Sequence, residues 1–304
     1  MPWRELSFNA TPEAIDWVRV LLASTNYTDE IQIANCPEPL QWSFTVALYF
    51  PEAAQRQLET VADRLTSLHR AEQISAPQLA VVEERASTAA APLIHRVGDR
   101  FVILAPAASY RAKATEISLQ LCGTHSFGSG FHPATMLSLR LIERHILPQI
   151  RTLDLGCGSG ILSVAMAKLG AQVLALDNDP IAVQATQDAV ERNHVASQVV
   201  VQQGSLGYGN ELGHWMGEAL SSVTKTIVPQ VTVDAVVANI LGRIHIALAA
   251  DYYNALQQTA GLLITAGYST DYEDEVKAAL TAAGFQMIDC ERLNDWVALV
   301  HRVG

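Results

Sequence analysis

The sequence predicts a doubly wound α/β sheet preceded by a smaller α+β domain. Beyond Arg100, short apolar strands alternate with segments of helical periodicity. One of those strands runs straight into the glycine-rich run DLGCGSG and then into a helix. The last two strands have no helix between them, so they are expected to form an antiparallel hairpin at one edge of the sheet.

The smaller domain is expected over residues 1–70. There LSFNA reads as a strand, TPEAIDWVRVLLAS as a helix, WSFTVALYF as a strand and PEAAQRQLETVADRLTSLH as a second helix. Thr11 suits the N-cap of the first helix, with Pro12 at its first position and Glu13 in its first turn. Ala14 stands where a capping box would need Glu or Gln. Residues 71–98 are rich in Ala, Glu and Gln and include Pro77 and Pro92, and they read as a helical or irregular connector. The larger domain, 99–304, opens with the strand FVILAP, and a helix in MLSLRLIERHI, following Thr135, leads into the alternating part. RTLDL, QVLALD, QVVVQQ, VDAVVANI, GLLITAG, FQMIDC and WVALVH are its seven strands. The stretch from Gly204 to Gln230 fits no standard crossover and reads as a surface insertion.

A chain of 304 residues, 49% hydrophobic and 17% charged, is long enough to bury two cores. The start MPWRELSF lacks a basic stretch followed by an apolar one, and no segment approaches the roughly 20 apolar residues that span a bilayer. A cytoplasmic protein without a membrane partner is expected. Cys36, Cys122, Cys157 and Cys290 show no repeated spacing, which predicts reduced thiols rather than disulfides or a zinc ribbon. Cys122, His125 and His132 would supply only three ligands from one loop, short of the four-ligand norm, so no metal is expected. The formal charge of −11 opposes direct binding to nucleic acid and favours encounter with a basic protein.

The glycine run is where a ligand is expected. Gly156, Gly158 and Gly160 permit close backbone approach, and the helix that follows presents free N–H groups. A structural glycine turn would look the same in isolation. Nicotinamide sites space their glycines as GxGxxG, whereas this loop is GxGxG with Asp154 two residues before it. An acidic residue there suits S-adenosylmethionine, which is cationic and has no pyrophosphate. Asp177 ends the next strand, where a carboxylate can accept from both ribose hydroxyls, and Asn178 is placed to flank the adenine. Asp179, ahead of Pro180, reads as a helix cap. Asn239 closes the strand VDAVVAN at the edge where ligands gather in open sheets, and it is the candidate facing the substrate; a turn Asn closing the strand is the structural alternative.

The runs FGSGFHPAT, DLGCGSGIL, LDNDP and ANIL, in that order, resemble the bacterial ribosomal protein L11 methyltransferase family, and MPW and DRFVILAP are similar to that family as well. The resemblance implies a seven-stranded class I methyltransferase sheet. It further implies transfer of methyl from S-adenosylmethionine to lysine ε-amines or the N-terminal α-amine of ribosomal protein L11, recognised by the smaller domain. Carried over by position, the cofactor contacts fall on Thr135, Gly156, Asp177 and Asn239. The family commonly has FGTGTHPTT, so Ser129, Phe131 and Ala134 depart from it; Phe127, Phe131 and His132 are expected at the substrate pocket. QLCGTHS also replaces the family's usual DPG-like lead-in. Such a reaction needs a neutral amine held in line with the methyl group and little acid–base machinery. A lysine near pKa ~10.4 must first lose its proton, which desolvation beside a sulfonium promotes. No indispensable base is expected, and Asn239 would orient the amine. Competing readings are a related methyltransferase of another protein or a small molecule, a cofactor-binding module without turnover, and a nicotinamide oxidoreductase.

Overall fold

Alternation drives the first strand: in Trp3–Ala10 (β1), Leu6, Phe8 and Ala10 are buried while their neighbours are partly exposed. After it come the helix Pro12–Ala23 (α1), strands Gln32–Asn35 (β2) and Phe44–Pro51 (β3), a 3-10 turn, the helix Gln55–Arg70 (α2) and the strand Gln78–Val82 (β4). They form an antiparallel sheet in the order β2-β3-β1-β4, with Leu6 opposite Leu48 and Phe8 opposite Val46. Ile15, Val18 and Leu22 of α1 and Leu58, Val61 and Leu65 of α2 are the buried stripes of two mutually packed amphipathic helices. Thr11 does cap α1, its hydroxyl accepting from the Ala14 N–H at 3.3 Å.

The computed structural model describes residues 3–25, 27, 29, 31–36, 41–83, 94–104, 110–120, 130–207, 226–227 and 233–304. The chain divides into a first unit, Met1–His95 with Ile103–Arg111 and Leu121–His132, and a second, Arg96–Val102 with Ala112–Gln120 and Pro133–Gly304. Composition reads 71–98 as a connector, but the structure pairs β4 with β1 and buries Ile74. The strand was hidden because β4 is an edge whose side chains are mostly exposed, so it shows no alternation. Strands Ile94–Val97 (β5), Phe101–Leu104 (β6) and Ile117–Gln120 (β7) form a three-stranded sheet.

The second unit continues with the helix Pro133–His145 (α3), Arg151–Leu155 (β8), Ile161–Lys168 (α4), Gln172–Asp177 (β9), Pro180–Arg192 (α5) and Val199–Gln203 (β10). Ser205–Leu206 (β11) and Thr226–Ile227 (β12) pair in parallel, and the rest of the expected 204–230 insertion beyond Gly207 lies outside the described residues. Ala235–Asn239 (β13), Gly242–Ala247 (α6), Ala249–Leu256 (α7), Leu262–Ser269 (β14), Glu273–Ala282 (α8), Phe285–Leu293 (β15) and Trp296–Val303 (β16) complete the chain. The seven-stranded sheet has the order β10-β9-β8-β13-β14-β16-β15, parallel except for β16, and β15–β16 is the edge hairpin that the sequence predicts. At the far end of α3, Arg144 donates to Asp289 of β15 at 2.6 Å, a cation placed where the helix dipole favours it, and Nε2 of His145 lies 2.7 Å from the same carboxylate. Among the described residues no helix is long and apolar enough to cross a membrane.

His301, on β16, is fully buried, and neither ring nitrogen has a hydrogen-bond partner among the described residues. Burial, with Lys277 nearby, pushes its pKa down to about 4, below the ordinary value near 6.5. Because the folded value is the lower one, the neutral ring's stability is complete above the unfolded pKa and is lost as pH falls from ~6.5 toward 4. One such group costs about 2 kcal/mol between pH 7 and pH 5. His245, also held near 4, acts in the same direction. Asp154, whose pKa is raised, acts in the opposite sense over the same range. Thermal denaturation at pH 7 and pH 5 is expected to show a smaller acid-induced drop in Tm for His301→Leu than for the parent; an equal drop would refute this account.

Candidate functional site

The strand order reverses at β8, which lies between β9 and β13. In such sheets the crevice at the carboxyl ends of the two central strands is where ligands bind. β8 runs there into Gly156, Gly158 and Gly160, all with positive φ (75°, 52° and 79°). Two of these glycines are also required by close approach. A Cβ on Gly156 would lie 2.5 Å from Cγ2 of Ile240, and one on Gly160 would lie 2.9 Å from Cα of Thr186 in α5. The loop is latched from β9 and α5. Asp177 accepts from the Gly158 and Asp179 N–H groups, both at 3.0 Å. The Thr186 hydroxyl lies 3.0 Å from the Gly158 carbonyl and 3.2 Å from Sγ of Cys157. Asp179 accepts from the Ile181 N–H at 2.8 Å and so caps α5 as expected, while the Asn178 carbonyl is held by the Gln203 amide at 3.1 Å.

Asp154 is fully buried one residue before the end of β8. Oδ2 accepts from the Ser163 hydroxyl of α4 at 2.5 Å, and Oδ1 has no hydrogen-bond partner among the described residues. Burial pushes its pKa up to about 7; the Ser163 bond works against that rise, and the charge of Asp177 adds to it. A buried carboxylate with a spare acceptor is costly unless a donor or cation joins it.

On the other side of the crevice, Asn239 ends β13 and its Nδ2 lies 3.4 Å from the hydroxyl of Thr135, which is buried in the first turn of α3. Residues far apart in the chain thus meet where the sequence anticipates a site. A cleft of roughly 330 Å³ is lined by Leu241, Gly242, Arg243, Gly267, Tyr268, Ser269, Tyr272 and Trp296, residues that begin two positions past Asn239 in the chain. Sequence reasoning passed over these residues, and also Ser163 and Thr186, because none belongs to a glycine or acidic motif. Gly267 was the available signal, since a glycine inside a strand marks a bulge or a close backbone approach. Its φ is +94°, and it sits in the register shift of β14.

Phe127 lies outside the described residues. Phe131 and His132 belong to the first unit. There the Phe131 ring packs edge-on against Phe44 at 4.9 Å and tilted against His95 at 5.3 Å. His132 is buried facing the charges of Asp16 and Glu13, and burial lowers its pKa despite them. Among the described residues no group of three or more His, Cys, Asp or Glu could hold a metal ion; Cys122 and His125 lie outside them.

Residues 19–303 match the family described as ribosomal protein L11 methyltransferase (PrmA). The chain is 36% identical to the ribosomal protein L11 methyltransferase of Chloroflexus aurantiacus, across 99% of this chain and 98% of that protein. It is 34% identical to the same-named protein of Herpetosiphon aurantiacus, across 99% of each. A solved structure of a ribosomal protein L11 methylase from Lactobacillus delbrueckii subsp. bulgaricus superposes with a TM-score of 0.55 at 23% identity, covering 68% of this chain and 97% of that one, a likeness of fold.

The packing of Gly160 against α5 sets a direct expectation. Gly160→Ala must both hold positive φ and push the Thr186 backbone away, and should lower stability by about 2–4 kcal/mol. Gly170, also at positive φ but with the Cβ of Pro148 as its nearest neighbour at 3.2 Å, should cost less as Ala, about 1–2 kcal/mol. Chemical denaturation of the two variants checks the difference.

Proposed function

The chain belongs to the ribosomal protein L11 methyltransferase family, and from that membership we propose that it transfers methyl groups from S-adenosylmethionine to amines of ribosomal protein L11. It is an S-adenosylmethionine-dependent methyltransferase. The observation that carries the reading in this chain is the meeting, at one sheet edge, of a positive-φ glycine loop, a buried carboxylate with an acceptor unused among the described residues, and the Asn239–Thr135 pair.

These residues fit the cofactor. Gly156, Gly158 and Gly160, all at positive φ, let a ligand approach the loop's backbone closely. The Asp177 carboxylate, with about four acceptor sites, can take ribose hydroxyls besides its backbone bonds, and Asn178 flanks the base. Asp154 supplies a counter-charge, and Thr135 and Asn239 bound the methyl end. When bound, S-adenosylmethionine supplies a methyl group on a sulfonium, an excellent leaving group.

The acceptor side follows from the cleft. Tyr272 and Trp296 offer apolar faces for the stem of a lysine, and Asn239 offers an amide oxygen to orient its amine. Arg243 in the same cleft disfavours a second cation and therefore favours the neutral, nucleophilic amine. No side chain has to serve as an indispensable base. The first unit is assigned to recognition of the protein substrate, and Phe131 and His132 act on acceptor choice through the unit in which they are packed. A chain of charge −11 suits a basic ribosomal protein, and we place the reaction in the cytoplasm, without direct contact to nucleic acid.

Labelled methyl from S-adenosylmethionine, supplied to undermethylated ribosomal proteins and resolved by mass, is expected in ribosomal protein L11 alone. It should be absent with Asp177→Ala, and Asn239→Ala should lower kcat by about 10–100-fold. Label in other proteins, with none in ribosomal protein L11, would overturn the substrate. Asp154 adds a pH test. Its ionised form attracts the cationic cofactor, so the Kd should fall as pH rises through about 7, and Asp154→Asn should flatten that dependence. An unchanged slope in the variant, measured by calorimetry between pH 6 and pH 7.5, would remove Asp154 from the binding site.

A further inference from the structure

We propose that His245 is a positioning residue for Asn239, locking through the Ala266 carbonyl the backbone from which the Asn239 amide projects. The inference rests on the orienting role given to Asn239 above.

Asn239 is paired with Ala266 across β13 and β14, and the next residue, Ile240, donates its N–H to the Ala266 carbonyl at 2.9 Å. The chain then turns into α6, which brings His245 back under the same carbonyl, Nε2 at 2.9 Å. A carbonyl only accepts, so Nε2 carries the proton and Nδ1 is left as an acceptor. The Tyr252 hydroxyl lies 3.2 Å from Nδ1 and fills that role as donor. One oxygen therefore receives two donors, one from the segment that carries Asn239 and one from a ring whose tautomer is fixed. Gly267 completes the clamp: a Cβ there would lie 2.5 Å from the Ile240 oxygen and 2.9 Å from the Asn239 carbonyl carbon. The ring also packs edge-on against Tyr268 at 5.2 Å.

Burial alone does not call for this arrangement. His301 is also buried with neither nitrogen bonded among the described residues, and an apolar side chain could fill the space around His245 at little cost if Tyr252 were also apolar. What the polar pair adds is a single backbone geometry at the end of β13. Displacement of a positioning group by about 1 Å can cost on the order of a hundredfold in rate.

The double variant His245→Phe/Tyr252→Phe keeps both rings and strands no hydroxyl, so it is the form expected to fold. It should retain a Tm near the parent's and an unchanged Kd for S-adenosylmethionine. The Ile240 amide should exchange with solvent at least about tenfold faster, and kcat should fall by about 10–100-fold with KM little changed. His245→Gln, which can still donate to the carbonyl, should recover part of kcat. A parental kcat in the double variant, or a lowered kcat with Ile240 exchange unaltered, would overturn the proposal. Asn239→Ala is measured alongside: if it keeps the parental kcat, the orienting role of Asn239 is what fails, and Ile240 exchange still decides the clamp.

Discussion

The candidate site depends on backbone segments that approach more closely than side chains allow. At the carboxyl edge of β8 and β13, Gly156 lies against Ile240, Gly160 against Thr186, and Gly267 against the Asn239–Ile240 peptide. Each contact excludes a Cβ, and each ties a loop to a strand or helix of a packed sheet. The crevice is therefore a rigid consequence of the fold, with its shape set by backbone atoms that side-chain rotamers cannot blur.

Around that frame the protein tolerates buried polarity where it can be used. His301 has no bonded partner among the described residues and is a liability only in acid. Asp154 is bonded on one oxygen and unsatisfied on the other, a state that a cationic ligand relieves. His245 has both nitrogens bonded and gains definition of the backbone instead. The extent of hydrogen bonding separates three side chains of similar burial into a pH-sensitive weak point and two for which we propose roles, a ligand counter-charge and a structural clamp.

Much of this was legible in the sequence because its signals are local. A strand running into GxGxG, a terminal Asp on the following strand, and Asp179 before Pro180 each specify their own conformation. The missing helix between the last strands foretold the antiparallel edge. What escaped is non-local or unpatterned. β2 and β4 are edge strands with little buried surface, so alternation had nothing to mark. The cleft residues Arg243, Tyr272 and Trp296 come from three separate segments gathered only by sheet order. Ser163 and Thr186 sit on buried helix faces, where a hydroxyl and an apolar residue have the same spacing. Phe131, read as a departure beside the substrate, turns out to be packed on Phe44 in the first unit, a pairing that no local pattern announces.

Charge acts at two ranges here, and the two need not agree in sign. The net charge of −11 sets a field that would draw in the proposed basic partner from beyond the Debye length of about 8 Å only weakly, and more strongly as the surfaces meet. At the cleft the lining includes Arg243, an exposed cation that on the proposed reading would meet an incoming lysine with like charge. A lysine that is attracted as a cation is thus asked to arrive as a neutral amine. On that proposal its proton would return to solvent at the mouth of the cleft, no dedicated base would be required, and orientation by Asn239 and the backbone beneath it would be the protein's main contribution to the rate.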